Sequence, residues 1–198
     1  FLNYTINKLK KVTPSQALKH PKWKMGKKIT IDSSTLMNKI FEVLEAQKIF
    51  NLPLELIDIL IHPNSLVHAI LVLKNGLKKF IYHETSMIVP LANAIFDGNL
   101  NIDNFYKDKN IGNEILVFKK VNKRMFPSIN LLKVMNHYPS ASIIINACNE
   151  VLVDQFLNKK IKFLDINRII QSVLKDGNFK RNAVIKPINI KQIYQIDI

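Results

Sequence analysis

A chain of 198 residues, 47% hydrophobic and 22% charged, can bury a sizeable core and has the balance of a folded soluble protein, which excludes intrinsic disorder. Its net charge of +14 leaves nucleic acid open as a partner, but the pairs Lys10-Lys11, Lys27-Lys28, Lys78-Lys79, Lys119-Lys120 and Lys159-Lys160 are scattered and form no basic arm. The single cysteine, Cys148, excludes an internal disulfide and a multi-cysteine zinc site, and points to a reducing compartment. The richest apolar region, 54–73, is broken by Glu55, Asp58, His62, Pro63, Asn64 and His68, short of the roughly 20 residues a bilayer span needs. Phe1-Leu2-Asn3-Tyr4 has neither an initiator Met nor a signal-peptide layout, so the chain reads as beginning inside a longer protein.

In chain order, Asn3 to Val12 is basic and weakly patterned. Thr13-Pro14-Ser15-Gln16-Ala17-Leu18-Lys19 reads as a short capped helix with Pro at its first position. His20-Pro21-Lys22-Trp23-Lys24-Met25-Gly26 reads as a loop. Its Trp and Met either pack on the body or close over a ligand as a lid. Lys28 to Asp32 is expected to form a short strand that feeds a helix, a unit that places ligands at a strand's carboxyl end.

That helix runs from Asp32 to Ala46, with Asp32, Ser33 and Ser34 as expected caps. At about 100° per residue, Thr35, Asn38, Lys39, Glu42, Glu45 and Ala46 share one arc, and Leu36, Met37, Ile40, Phe41, Val43 and Leu44 fill the rest. The plain reading of the polar arc is a solvated face. A second reading is chemical: a helix N-terminus favours an anion, Lys39 adds positive charge, and Glu42, one turn beyond Asn38, can hold a hard divalent cation.

Further on, Ile57 to His62 is expected to be a buried strand, and Leu66–Leu73 and Leu77–Tyr82 a hairpin about Asn75-Gly76, together a small mixed or antiparallel sheet. His62 and His68 flank a turn and read first as structural. Val89 to Phe96 looks helical, ended by Asp97-Gly98-Asn99, and the polar stretch to about Lys123 reads as a connector. Helical patterns follow at 129–136, 141–157, 166–175 behind Asp165 as cap, and from 189 on, which implies a bundle. The fold class expected is therefore α+β or α/β: a small mixed sheet with flanking helices over 1–97, a connector over 98–123, and an α-helical bundle over 124–198. Neither a glycine-rich dinucleotide fingerprint nor a Walker loop is present, and no nucleophile triad is supported by local motifs.

The stretches Ala17 to Ile29, Asp32 to Lys39 with Glu42 and Glu45-Ala46, Ile61-His62-Pro63-Asn64-Ser65-Leu66-Val67-His68, and Asn146-Ala147-Cys148-Asn149-Glu150 together resemble the 1-deoxy-D-xylulose 5-phosphate reductoisomerases. The resemblance covers nearly the whole chain, with 98–123 contributing little. It implies the second part of a catalytic domain followed by a helical bundle, with an NADPH-binding Rossmann domain and further metal-binding acids upstream of Phe1, and a last helix that continues past Ile198. Phe1 would then end a Gly-Gly-Pro-Phe stretch.

The roles that the resemblance implies are specific. Ser33, Asn38 and Lys39 would bind the substrate phosphate and nearby oxygens, with His20 contributing from the lid and Trp23 and Met25 covering the substrate. Glu42 would be a carboxylate ligand of Mg²⁺ or Mn²⁺, with catalytic roles for Glu42, Lys39 and His20. Gly26 and Met87 would lie near NADPH, and His68 would support the site. The implied reaction isomerises the ketose phosphate and reduces the aldehyde intermediate to 2-C-methyl-D-erythritol 4-phosphate, a step of non-mevalonate isoprenoid synthesis. The implied setting is a homodimer in a bacterial cytoplasm or a plastid stroma, with no activity in this chain alone. Ile40-Phe41 replaces the family's usual Gly-Leu, and Thr85-Ser86-Met87 stands where many members have Pro-Asp-Met. The rival readings are a basic nucleic-acid-binding module and a non-catalytic assembly domain.

Overall fold

The computed structural model describes residues 1–19, 25–99, 101 and 115–197. The described chain divides into two compact units that interleave along the sequence: residues 1–19, 25–59 and 121–197 form one, and 60–99, 101 and 115–120 the other.

The first unit is helical. It opens with α1 (Ile6–Leu9) and α2 (Pro14–Ala17), the latter begun as expected by Thr13. Pro14 at its first position surrenders no needed N–H, and Gln16 Oε1 accepts from the Thr13 N–H at 3.0 Å, completing a capping box.

Residues 27–35 overturn the expected strand. They form a helix, α3 (Lys27–Thr35), so there is no strand-turn-helix unit here. Local β-branched content at Ile29, Thr30 and Ile31 favours a strand, but three features favour the helix instead. Ile31 is wholly buried, the Thr30 hydroxyl donates to Gly26 O one turn back at 2.9 Å, and Lys28 and Asp32 pair across one turn at 2.9 Å. Tertiary burial outweighs propensity here. The expected caps Asp32, Ser33 and Ser34 consequently lie inside α3.

The next helix, α4 (Met37–Ile49), starts after Leu36, which takes a left-handed conformation (φ 61°, ψ 14°) and divides one helical run into two. Within α4 the expected faces hold, with Met37, Ile40, Val43 and Leu44 buried, but Thr35, expected on the polar arc, is buried at the end of α3, where its hydroxyl donates to Ile31 O. Ile40 is among the most deeply buried residues, so the Ile that replaces a Gly is core and leaves the opposite face undisturbed.

After a 3₁₀ turn over 127–130 come α6 (Leu131–His137), α7 (Ala141–Leu157), α8 (Phe163–Val173), α9 (Gly177–Ala183) and α10 (Ile190–Asp197). The span of α7 agrees with the expected one at both ends. α8 begins at Phe163, and Asp165 is not its cap. It sits at the third position and accepts the Lys162 N–H at 3.0 Å, so the start lies earlier than the acidic residue suggests. Sequence patterning passed over α9, which Asp176 caps through the Asn178 N–H at 2.7 Å. One core joins these helices apart from α10, which buries no residue, with Leu9, Ile31, Met37, Ile40, Leu131, Ile145, Phe156, Ile166 and Ile170 at its centre.

The second unit holds β1 (Leu60–Ile61), β2 (Val67–Val72), β3 (Lys78–Tyr82), α5 (Ile88–Phe96) and β4 (Lys119–Lys120). β2 and β3 form the expected antiparallel hairpin. Gly76 donates to Leu73 O at 3.0 Å and adopts φ 87°, which lets the strands twist together. The expected buried strand at 57–62 shrinks to two residues, with Leu60 exposed, and pairs antiparallel with β4, so part of the expected connector is strand. Among the described residues no helix is long and apolar enough to cross a membrane.

Candidate active-site face

The break at Leu36 generates the site. Because α3 ends there, α4 has its own N-terminus, and no side chain forms a cap hydrogen bond to it. Its first-turn N–H groups and dipole favour an anion at that end. Asn38, Lys39 and Glu42 project from the first turns on the face opposite the core residues Met37, Ile40 and Leu44.

On that face Lys39 Nζ contacts Glu42 Oε2 at 2.7 Å and Oε1 at 2.9 Å, and Asn38 Nδ2 donates to Glu42 Oε1 at 3.2 Å. The lysine and glutamate side chains are 45% and 51% exposed, so the pair is accessible and adds little to stability. Asn38 Oδ1 is buried and has no hydrogen-bond partner among the described residues. One carboxylate and one neutral oxygen are hard donors suited to a divalent cation. Among the described residues, however, no group of at least three His, Cys, Asp or Glu side chains could hold a metal ion. The donor set therefore fits a contribution to a cation site and not a whole one.

Beneath the face, the last turn of α3 is held by side chains. Asp32 is 4% exposed; it pairs with Lys28 at 2.9 Å and accepts from Asn149 Nδ2 of α7 at 2.8 Å. Ser128, fully buried, donates to Thr35 O at 2.6 Å, while the Thr35 hydroxyl donates back to Ile31 O. Ser34 Oγ donates to Ile31 O at 2.7 Å, and Ser33 is half-buried beside it. Burial pushes the Cys148 thiol, next to Asn149 in α7, above its ordinary pKa.

The structure thus brings Asn38, Lys39 and Glu42 together on α4, with Ser33 in the last turn of α3. Gly26 caps the start of α3 with φ −60°, and a Cβ there would meet nothing within 4 Å, so this backbone does not itself require glycine. Met25 precedes it, half-buried. His20 and Trp23 lie outside the described residues. Met87, exposed before α5, and His68, in β2, belong to the second unit. His68 Nε2 lies 3.1 Å from His83 O, and the two imidazoles stack with centroids 3.7 Å apart. His62 Nδ1 lies 2.9 Å from Val117 O and its ring stacks on Phe118, a structural setting. Asp32, Asn149 and Ser128 received no site role from sequence. The signals pointing to Asp32 and Asn149 were the matching stretches that contain them, and none pointed to Ser128.

Two family descriptions match: 1-deoxy-D-xylulose 5-phosphate reductoisomerase C-terminal domain over residues 1–50, and DXP reductoisomerase C-terminal domain over residues 84–198. A 1-deoxy-D-xylulose 5-phosphate reductoisomerase from Pelagibacter ubique is 42% identical across 100% of this chain and 51% of its own length. A solved DOX-P reductoisomerase in complex with NADPH, fosmidomycin and magnesium superposes with a TM-score of 0.88 at 28% identity, over 100% of this chain and 50% of its own. The enzyme from Zymomonas mobilis in complex with NADPH gives 0.84 at 27% identity, over 98% and 49%. The chain spans about half the length of the curated relatives it matches. With a family description that matches more than half of the chain and relatives that agree with it, the chain belongs to the 1-deoxy-D-xylulose 5-phosphate reductoisomerase family.

Proposed function

We propose that this chain supplies the phosphate- and metal-facing part of a reductoisomerase active site. In a protein of its relatives' full length, that site converts 1-deoxy-D-xylulose 5-phosphate to 2-C-methyl-D-erythritol 4-phosphate. The observation that carries the reading is the face on which Asn38, Lys39 and Glu42 stand beside the uncapped start of α4. In this reading 1–97 is catalytic, 98–123 connects, and 124–198 is the helical tail. The setting is a homodimer in a bacterial cytoplasm or plastid stroma. The scattered lysines do not favour a nucleic-acid-binding module.

Lys39 and Glu42 neutralise one another in the structure. A ligand with phosphate at one end and cation-binding oxygens at the other suits both groups: Lys39 exchanges its carboxylate partner for phosphate, and Glu42 is left to ligate Mg²⁺ or Mn²⁺. Ser33 and Asn38 orient the phosphate and adjacent oxygens. His20, Trp23 and Met25 would cover the substrate and exclude water, and Gly26 and Met87 would each serve NADPH binding, as the family resemblance implies. When bound, the divalent cation polarises the substrate carbonyl and NADPH supplies hydride.

The test uses the full-length protein carrying this chain. Glu42→Gln at saturating Mn²⁺ is expected to lower kcat about a hundredfold or more, since a ligand to the cation is lost. Lys39→Ala is expected to raise substrate KM about 10- to 100-fold, the loss of a charge-assisted contact of about 1.5–3 kcal/mol. Wild-type kcat in the first variant ends the metal assignment, and an unchanged KM in the second ends the phosphate assignment.

A further inference from the structure

The chemistry above uses the outer face of α4, yet the groups that fix where that face begins lie beneath it. Asp32 is held from Lys28 one turn earlier and from Asn149, distant in sequence on α7. The Asn149 side chain is fully buried, and with Nδ2 committed to Asp32 its Oδ1 has no partner among the described residues. An apolar residue of similar shape would avoid that unpaired oxygen, so packing alone does not explain an asparagine here. What asparagine adds is a donor aimed at one carboxylate. Three residues after Asp32, the Thr35 carbonyl accepts from Ser128. These two long-range hydrogen bonds, from α7 and from the 127–130 turn, hold the end of α3 on both sides of Ser33, immediately before Leu36 turns the chain into α4.

We propose that Asp32 and Asn149 are positioning residues: their hydrogen bond places Ser33 and sets the direction in which α4 presents Asn38, Lys39 and Glu42. The inference rests on the functional reading above. Neither residue needs to touch substrate, because a misplacement of about 1 Å at a site can cost on the order of a hundredfold.

The experiment measures KM and kcat for the sugar phosphate, together with Tm, in the full-length protein carrying Asn149→Ala, Asp32→Asn or Lys39→Ala. Asn149→Ala is expected to raise KM about tenfold at temperatures well below its Tm. Asp32→Asn keeps an oxygen that can accept from Asn149 and is expected to stay within about threefold of wild type, although it loses the Lys28 ion pair. If Asn149→Ala does not fold, Asn149→Ser, with a donor on a shorter side chain, takes its place and is expected to show a raised KM. Lowered Tm with unchanged KM and kcat in the Asn149 variant overturns the proposal, as does an Asp32→Asn variant as impaired as Asn149→Ala. A raised KM in Lys39→Ala beside wild-type kinetics in the Asn149 variant sinks the positioning role alone, and an unchanged KM in Lys39→Ala sinks the functional reading with it.

Discussion

The α3–α4 pair and the β2–β3 hairpin solve opposite problems. Around α3 and α4, polar side chains go inside: Asp32, Thr35, Ser128 and Asn149 are buried, with Asn149 bonded to Asp32 and Ser128 to the Thr35 carbonyl across long sequence separations. In the hairpin, apolar side chains stay outside, with Leu71, Val72, Leu77, Phe80 and Ile81 all exposed. Backbone pairing from Val67–Tyr82 to Val72–Lys78 and one turn hold the hairpin, whereas a shared core holds the helices. A structure built on local hydrogen bonds opens locally, and one built on a core fails as a unit.

That contrast can be broken from the core side first. Ile40→Ala removes a fully buried side chain and is expected to cost about 2–5 kcal/mol in the main urea transition, with little change in hairpin amide exchange. A cost below about 1 kcal/mol would show that Ile40 is not core despite its burial. Gly76→Ala should act the other way, because φ 87° strains any side chain there, by about 1–2 kcal/mol. Faster amide exchange at Phe80 and Ile81 with an unmoved main transition would sharpen the comparison, and equal loosening of α7 would defeat it. The smallest effect is expected at Cys148. Burial raises its thiol pKa, so the protonated form it favours in the folded state is intact at neutral pH, and that contribution is lost only as pH rises past the ordinary thiol value. Iodoacetamide should label it more slowly in the folded chain than in urea, and equal rates, read by mass spectrometry, would mean that α7 frays there.

What sequence revealed of the fold follows the same division. Period and punctuation are local, so the hairpin at Asn75-Gly76, the Thr13-Pro14 start of α2 and both ends of α7 were readable. So was the polar arc of Asn38, Lys39 and Glu42, since helical phase alone sets it. The helix at 27–35 was not, because its β-branched residues point to a strand until Ile31 has a core to enter. Asp32, Ser33 and Ser34 mimic caps for the same reason: their chemistry is right for a helix start, and only the left-handed Leu36 reveals that the start lies later. The Asn149 donor was beyond reach, since nothing near it names a carboxylate on another helix.

Leu36 also carries a consequence for how this stretch can change over generations. Each residue of helix turns its successors by about 100°, so inserting one residue between Thr35 and Met37, with α4 otherwise held in place, would move Lys39 and Glu42 into the buried positions now held by Ile40 and Val43 and carry Leu44 to the exposed position of Glu45. Substitutions along this segment alter one group at a time; a single change in its length would turn every side chain of α4 by about 100° at once.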